Sequence, residues 1–244
     1  MTRIFIADCE TTGTDPAVDQ VIELAMMDLP ETPALFLKAN LEDLVMTHNL
    51  YSHTAPMKLG ALVAHGITPD MLEGKPAFNR ATDPGLRGYM IGHNVDFDAD
   101  FMDNQGCSRI CTLAMARSMW PELDSHTQGA VLHHVARLAN KGDVWARDLN
   151  KGAHRADADV MNCARILKFM IFVIARDHEL KGGLSWEDIY QHSMDCRIPK
   201  VMTFGKFKGL PVSEVEASWA QWYAGTDAAD QWVLMALQRA GKLA

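Results

Sequence analysis

Asp8-Cys9-Glu10 is the first place in the chain where residue type and spacing suggest chemistry. It follows the apolar run Ile4 to Ala7, which reads as a buried strand, and strand alternation puts both carboxylates on one face. Two acids side by side repel. A divalent cation relieves this, and hard oxygen donors suit Mg²⁺ or Mn²⁺; so does simple solvation of an acidic strand end. A second stretch, His93-Asn94-Val95-Asp96-Phe97-Asp98-Ala99-Asp100-Phe101, closes the short apolar run Gly88 to His93. Ligands in α/β sheets gather at such strand carboxyl ends. The alternate aspartates do not make a calcium loop, because Phe101 stands where glycine is needed and Cys107 where glutamate is needed. A helix starting near Asp96, capped by Asn94 or Asp96, would aim one aspartate back at the sheet. Acids in a first helical turn also serve the helix dipole with no ligand at all.

The third stretch is His154-Arg155-Ala156-Asp157-Ala158-Asp159. Five residues at ~100° each would set His154 and Asp159 ~140° apart on a helix, so the two cannot share a face if both are helical. His154 is therefore expected in the loop before the helix, free to swing over whatever Asp159 binds. Taken alone it reads as a surface histidine.

The elements that must position these residues are legible in outline. Strands are expected over Ile4–Cys9, Val21–Asp28, about Leu44–Ser52, Gly88–His93 and Arg109–Thr112. Helices are expected over Pro56–His65, Asp96–Gln105, from Thr112 to Met119, and Ala130–Ala139. The clearest helix is Asp157–Ala175, where Val160, Ala164, Leu167, Ile171 and Ile174 form one apolar stripe. Leu29 to Asn40 resists assignment, since Pro30 and Pro33 interrupt it. The order predicts an α/β fold, a mixed sheet with helices packed on it.

Composition narrows the function. The chain has 244 residues, 48% hydrophobic and 22% charged, with a net charge of -8. It is not a generic basic nucleic-acid binder, though bound cations could offset clustered acids. Five scattered cysteines make no disulfide framework, and Cys107 and Cys111 lack a second pair for zinc. The N-terminus reaches Asp8 after four apolar residues, unlike a signal peptide, and the longest apolar run, Phe169 to Ala175, is too short to span a bilayer. A cytoplasmic setting and no membrane partner are expected. Gly205-Lys206 lacks the preceding glycine of a phosphate loop.

Together the three stretches resemble the three motifs of the DEDDh (DnaQ-like) family of 3′→5′ exonucleases, which includes proofreading subunits of bacterial replicases. The family's D-x-E matches Asp8 and Glu10. Its H-N-x-x-F-D matches His93 to Asp98 and selects Asp98 among the three aspartates. Its histidine followed five residues later by aspartate matches His154 and Asp159. The resemblance implies a ribonuclease H-like sheet and two metal ions held by Asp8, Glu10, Asp98 and Asp159, with His154 as general base. Nucleoside 5′-monophosphates would leave a DNA 3′ end, in repair or degradation. Alternatives are an RNA 3′ trimmer, a polymerase-docked proofreading subunit, or a nucleic-acid-binding module without catalysis. The backbone of Thr11, Thr12 and Gly13 could lie against the terminal nucleotide, since glycine permits close approach. His65 and Asn94 are further candidates from the family pattern. Cys9 departs from the family's usual apolar residue or threonine, and Leu29 to Leu50 is poorly matched.

A change of character near residue 180 predicts an exonuclease domain over 1–180, a linker with a short helix over 181–199, and a small module over 200–244. Ser185 and Asp188 form the helix entry signal, with Leu184 and Ile189 as its staple. Met202–Gly209 is expected as a strand or hairpin, and helices over Ala217–Ala224 and Ala228–Ala240, the latter capped by Asp227. This tail resembles the C-terminal module of the same group. Arg197, Lys200, Lys206 and Lys208 interleave with Phe204 and Phe207, which suits a nucleic-acid strand; a hairpin with core phenylalanines and solvated lysines reads equally well. Trp219, Trp222 and Trp232 are expected in the module's core.

Overall fold

The computed structural model describes residues 2–79, 87–102, 106–177 and 183–243. Its centre is β1 (Arg3–Thr11), whose Phe5, Ile6 and Ala7 are completely buried. Burial on both faces is what a near-continuous apolar run requires. β2 (Val21–Asp28) runs back antiparallel to β1, and β3 (Met46–Leu50) lies antiparallel outside it. On the other side β4 (Gly88–Gly92) and β5 (Cys107–Cys111) run parallel to β1, giving the order β3-β2-β1-β4-β5.

Gly88 is where β4 meets β1 most tightly. Its φ is +128°, and a Cβ there would sit 2.0 Å from the Arg3 carbonyl oxygen. Only glycine permits that approach.

The segment that resisted assignment holds a short helix, α1 (Pro33–Lys38). Thr32 accepts the Leu35 N–H at 3.2 Å and Pro33 opens the first turn, where its missing N–H costs nothing. α2 (Leu59–His65) begins later than expected and ends at Gly66, whose φ is +65°. α3 (Val95–Phe101) follows β4; residues 103–105, in the expected extension of this helix, lie outside the described residues. α4 (Thr112–Met119) follows β5 directly. α5 (Gln128–Leu138) is capped by Thr127, which accepts the Ala130 N–H. α6 (Gly142–Leu149) was not expected.

α7 (Ala156–Asp177) packs across β1 and β2. Its stripe of Val160, Ala164, Leu167 and Ile171 is fully buried and Ile174 nearly so. α8 (Trp186–Arg197) opens as its entry signal predicts: Ser185 Oγ accepts the Asp188 N–H at 3.1 Å, and Asp188 accepts the Ser185 N–H at 2.9 Å. Trp186 donates its indole N–H to the Pro30 carbonyl at 2.9 Å.

Met1–Ser193 and Met194–Ala244 form two compact units, the division falling within α8. The smaller unit has its own core, built on Met202, Phe207, Val215, Tyr223 and Leu237. The expected Met202–Gly209 turn-back is present in reduced form: Gly205 and Gly209 are at positive φ around one 3₁₀ turn (Gly205–Phe207), the Gly209 N–H donates to the Met202 carbonyl at 2.8 Å and the Met202 N–H to the Leu210 carbonyl at 2.9 Å, and an antiparallel bridge joins Val201 to Pro211. Two other features depart from expectation. α9 (Ala217–Ala224) exposes Trp222 at 64%, while Trp219 stacks on Tyr223 with centroids 5.1 Å apart. α10 (Gln231–Arg239) is capped by Asp230, not Asp227, because Asp230 reaches the N–H groups of Trp232 and Val233 at 2.9 and 3.1 Å.

Candidate active site

One cleft of about 480 Å³ is lined by Asp8, Glu10, Asn94, Asp98, His154 and Asp159. The first two come from β1, the next two from the start of α3, and the last two from the α7 entry. Strand alternation places Asp8 and Glu10 on one face, as the spacing requires.

α3 sorts its three aspartates. Asp98 is 3% exposed and accepts the Cys9 N–H at 2.9 Å, which brings it to the strand segment carrying Asp8 and Glu10. Asp96 and Asp100 turn the other way, each 3.1 Å from Arg109 Nη1. Asn94 stands at the head of this helix with φ +75°, and its side chain caps nothing.

His154 lies before α7, with φ +63°, a left-handed conformation uncommon for a non-glycine residue. Its N–H donates to Asp159 Oδ2 at 2.9 Å. Ligating atoms of Glu10, His154 and Asp159 all lie within 4.8 Å of one another. Gln128 Nε2 donates to the Asp159 carbonyl at 3.0 Å.

The carboxylates are poorly compensated. Burial first, then Asp98, Asp159 and Glu10, drive Asp8 well above the usual carboxylate range. Burial and then Asp159 and Glu23 push Glu10 up to about 8. Asp98 and Asp159 are raised as well, chiefly by burial. Among the described residues no lysine or arginine forms an ion pair with any of these four. A cluster of anionic oxygens that the protein leaves unneutralised suits divalent cations bound through oxygen, the donor chemistry of Mg²⁺ or Mn²⁺.

Other expected contacts fall outside the cleft wall. The Thr11 hydroxyl donates to the Gly13 carbonyl, and Thr12 Oγ1 accepts the Gln20 N–H at 3.0 Å, so both hydroxyls shape the turn after β1. Gly13 is buried against Asp19 and Lys58; a Cβ would lie 2.4 Å from each side chain. His65 is buried beside the Thr11 backbone, and its Nδ1 accepts the Ile67 N–H. Lys206 and Lys208 belong to the smaller unit. Lys206 pairs with Glu216 at 3.1 Å and lies 4.7 Å from the Phe207 ring centroid.

Several residues around the cleft were given no role by sequence reasoning, His93 among them although it opens the second motif. Glu23 sits on β2 directly opposite Glu10, fully enclosed, and receives Arg155, His48 and the Ala156 N–H. Burial pushes its carboxyl up, but the bonds from Arg155, Ala156 and His48 outweigh this and hold it below the usual range. The signal was present: a lone glutamate inside an apolar strand demands a partner. His93 donates from Nε2 to the His126 carbonyl at 2.8 Å, which leaves Nδ1 to accept from Thr112 Oγ1 at 3.0 Å. Burial lowers its pKa to about 4, keeping the ring neutral. Among the described residues, Arg117, exposed on α4, is the one arginine on the cleft wall.

A mixed sheet of this order, with acids gathered at the end of its central strand, has the ribonuclease H-like architecture. The exonuclease family profile (RNase_T) matches residues 5–167, and the chain belongs to this family. Among curated proteins it is similar to the DNA polymerase III subunit epsilon of Buchnera aphidicola subsp. Acyrthosiphon pisum (strain APS), 27% identical over 143 residues, 49% of this chain and 56% of that one. It is also similar to the same subunit of Pasteurella multocida (strain Pm70), 37% identical over 83 residues, 27% of this chain and 32% of that one. The match thus spans about half of one relative and a third of the other. Among solved structures it is similar in fold to Exonuclease X in complex with 5′ overhanging duplex DNA (TM-score 0.54, 22% identity, 78% of this chain and 99% of that one). Exonuclease I gives a TM-score of 0.56 at 16% identity, covering 94% of this chain and 61% of that one. Among the described residues no helix is long and apolar enough to cross a membrane.

Proposed function

We propose that the chain is a metal-dependent 3′→5′ exonuclease that releases nucleoside 5′-monophosphates from DNA 3′ ends, in repair or degradation, in the cytoplasm. The observation that carries this is the convergence of Asp8, Glu10, Asp98 and Asp159, drawn from three separate elements, on one cleft beside His154. The neighbours in fold support DNA as substrate, since one was solved with overhanging duplex and another, from E. coli, with a dT13 oligonucleotide.

In this reading the four carboxylates hold two Mg²⁺ or Mn²⁺ ions. Bound there, such ions supply charge stabilisation to both the attacking and the leaving oxygen of an in-line displacement at phosphorus. The chain's own residues do the rest. A ring nitrogen of His154 takes the proton of the attacking water, as a positioned general base does. Asp159 does two jobs, holding metal and fixing the His154 backbone through Oδ2. The backbone of Thr11, Thr12 and Gly13, with His65 packed beside Thr11, shapes the chain next to Glu10 for the terminal nucleotide, and Asn94 contacts it from the cleft wall. Arg117, and Lys206 and Lys208 on the smaller unit, contact phosphates.

A second reading is a proofreading subunit docked on a polymerase, favoured by the match to two epsilon subunits. RNA trimming would use the same site. The test follows 5′-labelled DNA and RNA oligonucleotides with Mg²⁺ or EDTA, wild type beside Asp98→Ala. A metal-dependent ladder shrinking from the 3′ end, absent in the variant, is expected, with DNA the faster substrate. A faster RNA reaction would reassign the substrate. An active Asp98→Ala protein would overturn the site.

A further inference from the structure

We propose that Glu23 is a positioning residue for the proton acceptor: by clamping Arg155 it fixes His154 relative to Glu10. The inference rests on the exonuclease reading, because it gives His154 a task that requires placement.

The geometry is specific. Arg155 Nε lies 3.0 and 3.2 Å from the two Glu23 oxygens, and its Nη2 lies 2.6 Å from Oε1. The Ala156 N–H donates to Oε2 at 3.0 Å, and His48 Nε2 lies 2.8 Å from Oε1. The Glu23 side chain has no exposure, whereas Arg155 retains 35%. Stability alone does not ask for this arrangement, since an apolar side chain at such a strand position serves the core as well as a buried ion pair.

What the pair does supply is a coordinate. Glu23 is the ladder partner of Glu10, so its place relative to that acid is set by the β1–β2 register. Arg155 and Ala156 immediately follow His154. The histidine is thus pinned from behind by Glu23 and from ahead by its own N–H bond to Asp159. Between these anchors it holds φ +63°. A non-glycine residue keeps such a conformation only where its surroundings over-determine it. Without the clamp, the loop is free to relax and carry the ring away from Glu10 and Asp159.

The test uses Glu23→Gln and Arg155→Lys in the full chain. Glu23→Gln keeps the shape but removes the charge; Arg155→Lys keeps the charge but removes the two-point fork. Amide hydrogen exchange, which needs no activity, should rise about tenfold at residues 153–157 and stay unchanged over 160–174. With DNA and Mg²⁺, kcat should fall about 10–100-fold with KM moving less than about twofold, the pattern of a displaced group at the reacting centre. In a His154→Ala background, Glu23→Gln should change the single-turnover rate less than about twofold, because the group it positions is gone. An unchanged loop exchange, or the full rate loss repeated without His154, would overturn the proposal. If Glu23→Gln fails to fold, Arg155→Lys, altered at the solvent-facing end of the pair, carries the same expectations. A wild type that cleaves nothing would sink the exonuclease reading, while the exchange result would still decide whether the clamp holds the loop.

Discussion

Asp96, Asp98 and Asp100 share a seven-residue helix and have different fates. Asp98 is drawn to the Cys9 N–H, and its neighbours are drawn to Arg109 at the surface. Asp98→Asn should therefore lower the cleavage rate by about 10³ or more, as loss of a metal-holding group in a two-ion site would. Asp100→Asn should leave the rate within about threefold and stability within about 1 kcal/mol, since exposed ion pairs contribute little. Comparable damage from both would mean that the motif spacing misassigned the acid. His154→Ala should cost about 10²–10⁴ in kcat, the range for a general base. His93 gives a pH prediction with a definite sign. It titrates near about 4 in the fold but near about 6.5 when unfolded. As pH falls through that window the unfolded chain takes up a proton that the native state does not, so stability is lost on acidification. Denaturant titrations at several pH values should show a slope shallower by up to one proton in His93→Gln.

At the scale of elements, the chain advertised what has a period and hid what has none. The stripe from Val160 to Ile174 and the alternation in β1 were readable because burial leaves a repeat. The loop position of His154 followed from helix geometry alone. α1 was hidden because its prolines read as breakers, although Pro33 sits where proline opens a helix. Glu23 stood out as a lone acid in an apolar strand, but its partner was hidden, because Arg155 lies 132 residues away. No local pattern encodes a contact at that range. Two substitutions probe the scaffold. Leu167→Ala, on the buried face of α7, should destabilise by about 2–5 kcal/mol. Gly88→Ala should cost about 2 kcal/mol or more, since its Cβ meets the Arg3 backbone in the β1–β4 ladder. Thermal or denaturant unfolding measures both; a neutral Gly88→Ala would mean that β4 can shift away from β1 cheaply.

Across the whole molecule, charge is unevenly divided. Residues 194–244 hold six lysines and arginines against five acids, leaving 17 against 26 in the first 193. The acidic site lies in the larger unit, and the exposed Trp222 and the basic Lys206 and Lys208 in the smaller. If those lysines grip DNA, Lys208→Ala should raise KM and flatten its dependence on log salt by about 0.7, one phosphate contact's share on a single strand. kcat at saturation should not change. An unaltered salt slope would point the smaller unit to another task.

The order of the strands also has a consequence in time. β1 pairs on one side with β2, close by in sequence, and on the other with β4, which is synthesised some 80 residues later. Asp159 comes about 150 residues after Asp8. A growing chain therefore carries its first two acids long before the helices that bring the others. While the hairpin of β1 and β2 takes shape, only the repulsion among Asp8, Glu10 and Glu23 is present; the share due to Asp98 and Asp159 comes later. The last of the four acids, Asp159, joins the cluster only with α7, the same helix that brings Arg155 to Glu23 and buries its apolar stripe on β1 and β2.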